Sequence, residues 1–261
     1  MAEVERMNGL FLTDRGQIRS HNEDAGGIFF NQSGDLLAVI ADGMGGHQAG
    51  DVASQLATTL LQSKWQGAGT VSGPEEVERW LRQSIKEIND EIYKYAEGRE
   101  DCHGMGTTIV LAACTESFIS IAHIGDSRCY LFNEQGFNQI TEDHSLVNEL
   151  VKVGQITKAA ADHHPRKNVL LKALGTEVDV KADVRTIEWE EGDQLLLCSD
   201  GLSNKVPDEE LGRQLAESEN IEAAGSMLIN LANERGGEDN ISIAIVRHEA
   251  AAEKEAGENG C

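Results

Sequence analysis

The sequence predicts an α+β fold, antiparallel sheet with helices packed on its outside. Two long amphipathic helical patterns stand together in the first third of the chain, and short β-like runs then fill the middle and the end instead of alternating with helices. The composition agrees, since 40% hydrophobic and 26% charged residues over 261 positions suffice for a sizeable core and are too apolar for a disordered chain.

Taken in chain order, residues 36–41 are an unbroken apolar run and read as a buried strand. Over 49–65, Val52, Leu56, Leu60 and Leu61 recur at i, i+4, i+8 and i+9, which predicts a helix with those side chains on its core face. Pro74 opens a second helix carrying Val77, Trp80, Leu81, Ile85, Ile88, Ile92 and Tyr95. Strands are expected at 107–114, 118–124, 129–132 and 194–198, helices near 207–216 and 221–235, and a last strand at 241–246. Residues 249–261 lack periodicity and read as a disordered tail, which leaves 8–248 as a single domain. Trp65, Trp80 and Trp189 have apolar neighbours and read as packing residues.

Lys and Arg number 22 against 45 Asp and Glu, a net charge of −23. That sign repels phosphate backbones and anionic lipids, so neither nucleic acid nor a membrane is expected as partner. The five cysteines are odd in number and widely spaced with no Cys-x-x-Cys, which argues against a disulfide framework or a structural zinc. No signal-like apolar segment occurs, so a reduced, cytoplasmic protein is expected, with Cys102 an inert thiol.

The acidic residues carry the chemistry. Run 36–41 ends in Asp42-Gly43-Met44-Gly45-Gly46-His47, and run 194–198 ends in Ser199-Asp200-Gly201. Gly125-Asp126-Ser127-Arg128 lies between two strands and reads first as a hairpin turn, while Glu238-Asp239-Asn240 precedes the last strand. Alone, each Asp-Gly is a tight turn. Together with Glu23-Asp24 they put acids at the edges of five predicted strands, which is how a sheet edge assembles oxygen ligands for a hard cation. With no His-x-x-x-His or Glu-x-x-His spacing and no Ca²⁺ loop signature, Mg²⁺ or Mn²⁺ is favoured, and two such ions sharing an Asp suit hydrolysis of a phosphate ester.

These motifs, with Arg19-Ser20-His21-Asn22-Glu23-Asp24 before them and Gly106-Thr107-Thr108 among them, resemble in order those of metal-dependent type 2C Ser/Thr protein phosphatases. The stretch Val153-Gly154-Gln155-Ile156-Thr157 is similar to the bacterial branch. The resemblance implies a central β-sandwich of two antiparallel sheets flanked by α-helices. It also implies hydrolysis of phosphoserine and phosphothreonine by attack of a water bridging two Mn²⁺ or Mg²⁺ ions, opposing a Ser/Thr kinase in a bacterium. By the same resemblance Asp42 bridges both ions and the Gly43 carbonyl binds the second. Asp200 and Asp239 complete the first shell, Asp24 supports the second ion, and Glu23 is an acid in some members and an amide in others. Asp126 matches the position that, with Asp200, holds a third, weaker ion, and Arg19 matches the arginine that grips the substrate phosphate. Met44 replaces the histidine of many eukaryotic members, so the leaving group's proton is expected from a water, most simply on the third ion. His47 reads as capping or packing, and 154–165 aligns with the mobile flap of bacterial relatives. Phosphorylated proteins are the expected substrates and a monomer the expected state. A non-enzymatic relative should have lost a metal aspartate, and none is lost here.

Overall fold

Consecutive apolar residues become strands covered on both faces. In the computed structural model, which describes residues 7–45, 49–71, 73–102 and 104–249, the chain forms β1 (Met7–Asp14), β2 (Asp24–Phe30), β3 (Leu36–Met44), α1 (Ala49–Gln66), α2 (Pro74–Glu97), β4 (Gly106–Thr107), β5 (Ile109–Cys114), β6 (Phe118–Ile124), β7 (Arg128–Asn133) and β8 (Gly136–Gln139). There follow α3 (Leu146–Lys152), α4 (Lys158–Asp162), β9 (Asp183–Glu188), β10 (Gln194–Cys198), α5 (Asp200–Ser203), α6 (Asp208–Glu217), α7 (Ile221–Glu234) and β11 (Ile241–His248). One sheet has the order β1-β11-β10-β7-β8 and the other β2-β3-β5-β6-β9, with β4 beside β3; the pairings are antiparallel.

Strand β3 shows why polar alternation is missing. Leu37, Val39 and Ala41 point into a core shared with α1 and α2, whereas Leu36, Ala38 and Ile40 point into the core between the sheets. On the far side α6 and α7 cover the first sheet through Leu211, Leu215, Leu228 and Ala232. Helix, sheet, sheet and helix therefore stack in four layers. No helix among the described residues is long and apolar enough to cross a membrane.

Three local expectations change. Helix α1 buries Ala53, Ala57, Leu61 and Trp65, while Val52, Leu56 and Leu60 are only partly covered. Small residues let the helix lie close on β2 and β3, so the face is rotated from the one the larger apolar residues suggest. Gly125-Asp126 is not a hairpin turn: β6 and β7 belong to different sheets, and the chain crosses between them there. Strands β1, β2, β8 and β9, absent from the sequence reading, complete the sheet edges. Cys102, Cys114, Cys129 and Cys198 are free and buried, Trp65 and Trp80 pack edge to face at 4.9 Å, and the Trp189 indole donates to the Thr115 carbonyl. Gly46, His47 and 250–261 lie outside the described residues.

Candidate active site

Antiparallel pairing makes neighbours of motifs far apart in sequence. Asp24, the first residue of β2, is the register partner of Asp42 near the end of β3. In the other sheet Cys198 pairs with both Arg128 and Ile243, so the start of β7, the end of β10 and the start of β11 lie side by side. Asp126, Asp200 and Asp239 flank those three ends. Two hydrogen bonds join the sheets at this edge: Ser199 Oγ donates to Asp24 Oδ2 at 2.8 Å, and the Glu23 amide donates to Asn240 Oδ1 at 2.8 Å.

Asp24 is buried and Asp42, Asp126, Asp200 and Asp239 are half-buried, and the carboxylates press on one another. Burial, reinforced by the charges of Asp200 and Asp239, pushes Asp24 up to about 7. Asp42 is driven well above the usual carboxylate range by burial first and then by Asp24, Asp200, Asp126 and Asp239. Burial and Asp200 push Asp126 up to about 8, and burial and Asp239 push Asp200 up to about 6. Asp24 Oδ1 is buried with no hydrogen-bond partner, although Asp24 is only 8% exposed. Such an oxygen is costly unless a cation or water meets it, and an oxygen-only donor set of this kind fits Mg²⁺ or Mn²⁺. Arg19 stands at the rim, its Nη2 donating to Asp239 Oδ2 at 2.8 Å; burial lowers its pKa, which the carboxylates of Asp239, Glu23 and Asp42 more than offset. Burial also raises the Glu23 carboxyl, against the opposing pull of Arg19 and with the repulsion of Asp51.

Backbone geometry shapes the edge. A Cβ at Gly43 would lie 2.1 Å from the Gly50 carbonyl oxygen and 2.5 Å from that of Glu23, so only glycine lets the first turn of α1 close over the end of β3. Met44 ends β3 opposite Gly106, and its thioether has no proton to give.

Several residues inside the quoted motifs had no role in the sequence reading. Asn240 bonds Glu23 through its oxygen and the carbonyls of Arg15 and His21 through its amide, which ties the Arg19 loop to β11. Thr108 Oγ1 accepts from the Asp42 amide and pairs with Ser127 Oγ at 2.7 Å. Arg128 makes a forked contact with Asp143 and holds the crossover after Asp126 in place. The motif spacing marked these positions as unusual, but contacts across 15 to 225 residues leave no local signal.

No three of the edge carboxylates bring one oxygen each within 4.8 Å of one another; among the described residues only His123, His144 and Asp183 supply three such atoms. The histidine group is bonded internally: His144 Nδ1 accepts from the Gly125 amide, its Nε2 lies 3.4 Å from Asp183 Oδ2, and His123 Nε2 donates to the Glu142 carbonyl. The two rings stack 4.6 Å apart and 8° from parallel. In-plane lone pairs of parallel rings do not converge on one ion, so this group braces the Gly125 turn.

Comparison with known proteins bears on the family. The sequence profile of the family described as protein phosphatase 2C matches residues 15–236. The serine/threonine phosphatase stp of Listeria monocytogenes is 47% identical over 243 residues, 93% of this chain and 96% of the relative. The crystal structure of the serine/threonine phosphatase Stp1 from Staphylococcus aureus superposes with a TM-score of 0.89 at 42% identity, covering 94% of this chain and 96% of that one. The catalytic domain of the phosphatase PstP, in complex with two manganese ions, superposes with a TM-score of 0.81 at 32% identity, over 94% of this chain and 99% of that one. The four-layer fold, the ordered motifs and these matches give one answer: the chain belongs to the protein phosphatase 2C family.

Proposed function

We propose that this chain removes phosphate from phosphoserine and phosphothreonine of proteins with the help of Mn²⁺ or Mg²⁺, and that the acidic sheet edge is the site. The observation that carries the reading is the set of mutually repelling aspartates with an orphaned oxygen on the buried Asp24, beside a guanidinium held only by an exposed pairing with Asp239. In this reading Asp42, Asp200 and Asp239 would hold one cation, and Asp42 with the Gly43 carbonyl, Asp24 and Glu23 would hold a second. Asp126 with Asp200 offers a weaker third position. The two manganese ions of the PstP catalytic domain support two ions here. Bound cations supply positive charge that activates water and offsets the charge gathering on phosphorus.

The chain's own groups bind and orient. Arg19 offers a planar fork of donors to the phosphate oxygens, and its exposed pairing with Asp239 exchanges at little cost. Ser199, Asn22 and Asn240 fix the carboxylates and loops around the site through short hydrogen bonds. The oxygen-only carboxylate set keeps negative charge off the bound phosphate only while cations sit among the aspartates, so activity is tied to divalent metal.

The same reading takes residues 8–248 as the catalytic unit, a monomer in the cytoplasm, with substrates phosphorylated by a Ser/Thr kinase. Hydrolysis of a phosphothreonine peptide with Mn²⁺, Mg²⁺ or EDTA, by the wild type and by Asp200→Ala, tests the reading. Metal-dependent turnover lost in EDTA and in the variant is the expected result, and no turnover with either metal would overturn it.

A further inference from the structure

We infer that the cleft beside Arg19 seats an anionic side chain of the substrate, a carboxylate or a second phosphate close in sequence to the phosphorylated residue, and that Arg99 selects it. The inference rests on the function proposed above. The cleft has a volume of 790 Å³ and runs from Arg19 and Glu23 past Val52 of α1 to Tyr95 near the end of α2 and to Arg99 and Cys102 just after it.

Arg99 lies over the ring of Tyr95, 3.7 Å from its centroid, and its Nη1 donates to the Tyr95 carbonyl at 3.4 Å. Stacking fixes the plane of the guanidinium and leaves N–H groups of the fork for a ligand. Acidic residues outnumber basic ones two to one in this chain, yet no carboxylate among the described residues forms an ion pair with Arg99. Arg19, the other guanidinium on the cleft, is the residue assigned to the phosphate being removed. Glu23 and Asp101 also line the cleft and repel an anion, so the favourable position is the one where the two guanidiniums outweigh them. An extended peptide advances about 3.3 to 3.6 Å per residue, so a residue one or two positions from the phosphoamino acid lies within about 7 Å of it along the chain. Val52 and the buried Cys102 give such a side chain an apolar wall for its methylene stem.

The test compares kcat/KM for phosphothreonine peptides flanked by Ala, Glu, phosphothreonine, Lys or Leu, at about 0.15 M salt, where the Debye length of about 8 Å screens the net charge of the whole chain. An aryl phosphate checks the chemistry itself. The expected result is a preference of about fivefold or more for Glu or phosphothreonine over Ala, flattened in Arg99→Ala and reversed toward Lys in Arg99→Glu, with both variants shown to be folded by circular dichroism. Glu and phosphothreonine separate a carboxylate ligand from a phosphate. Equal rates on all peptides, a Leu preference, or an acidic preference that survives in Arg99→Glu would overturn the inference and leave the phosphatase reading standing. No hydrolysis of peptide or aryl phosphate would remove both.

Discussion

Arg19 and Asp239 meet at 2.8 Å with side chains 47% and 35% exposed, a pairing worth little in water. In the proposed mechanism that guanidinium changes partner from carboxylate to phosphate. Charge-assisted hydrogen bonds of this kind contribute about 1.5 to 3 kcal/mol, so Arg19→Ala should lower kcat/KM on a phosphothreonine peptide about ten- to a hundredfold. Arg19→Lys should recover only part of it, because a single ammonium lacks the fork. Asp42 poses the opposite problem, since its half-buried carboxylate is repelled by four other aspartates. In EDTA at pH 8, Asp42→Asn should therefore raise the melting temperature by about 2 to 4 °C per kcal/mol of relieved repulsion, while losing the stabilisation that Mn²⁺ gives the wild type. A melting scan of both proteins with and without Mn²⁺ reads this directly.

Elements bring these residues together, and their legibility differed for physical reasons. Strands β3, β5, β6, β10 and β11 are buried on both faces and announce themselves as apolar runs, with β10 matching the expected 194–198. Strand β2 is half-exposed with Gly26 and Gly27 in it, and β9 has only Val184 and Ile187 among polar and charged residues at a sheet edge, so neither stands out from loop. The motif aspartates were legible through their place at strand ends; Ser199, Thr108 and Asn240 were not, because their partners lie in other elements. The close seating of α1 on β3 was hidden for the same reason, although Gly43 and Gly50 are its means. Gly43→Ala should push the first turn of α1 off the strand, lower the melting temperature by about 2 to 12 °C as overpacking costs of about 1 to 3 kcal/mol do, and weaken Mn²⁺ binding in a calorimetric titration.

At the scale of the whole molecule, the acidic edge sets the pH dependence. Asp24, Asp126 and Asp200 hold their protons to about 7, 8 and 6 in the folded chain, against 3.8 for an ordinary aspartate. Between about pH 4 and 8 the metal-free folded state keeps protons that the unfolded chain has released. These groups therefore contribute stability that is fully present below pH 4 and lost as pH rises through 6 to 8. Metal-free protein should melt at a lower temperature at pH 8 than at pH 6, and the gain from Mn²⁺ should grow over that interval. In the proposed function, cations bound among the ionised aspartates would offset this instability. The central claim, that the aspartate edge is a divalent-metal site responsible for phosphate hydrolysis, is tested most directly by titrating metal-stripped protein with Mn²⁺ in a calorimeter while following phosphothreonine hydrolysis, for wild type and Asp42→Asn. Saturable Mn²⁺ binding that tracks activity in the wild type, with both lost in the variant, is the predicted result; hydrolysis that persists in stripped protein, or in the variant without Mn²⁺ binding, would contradict it.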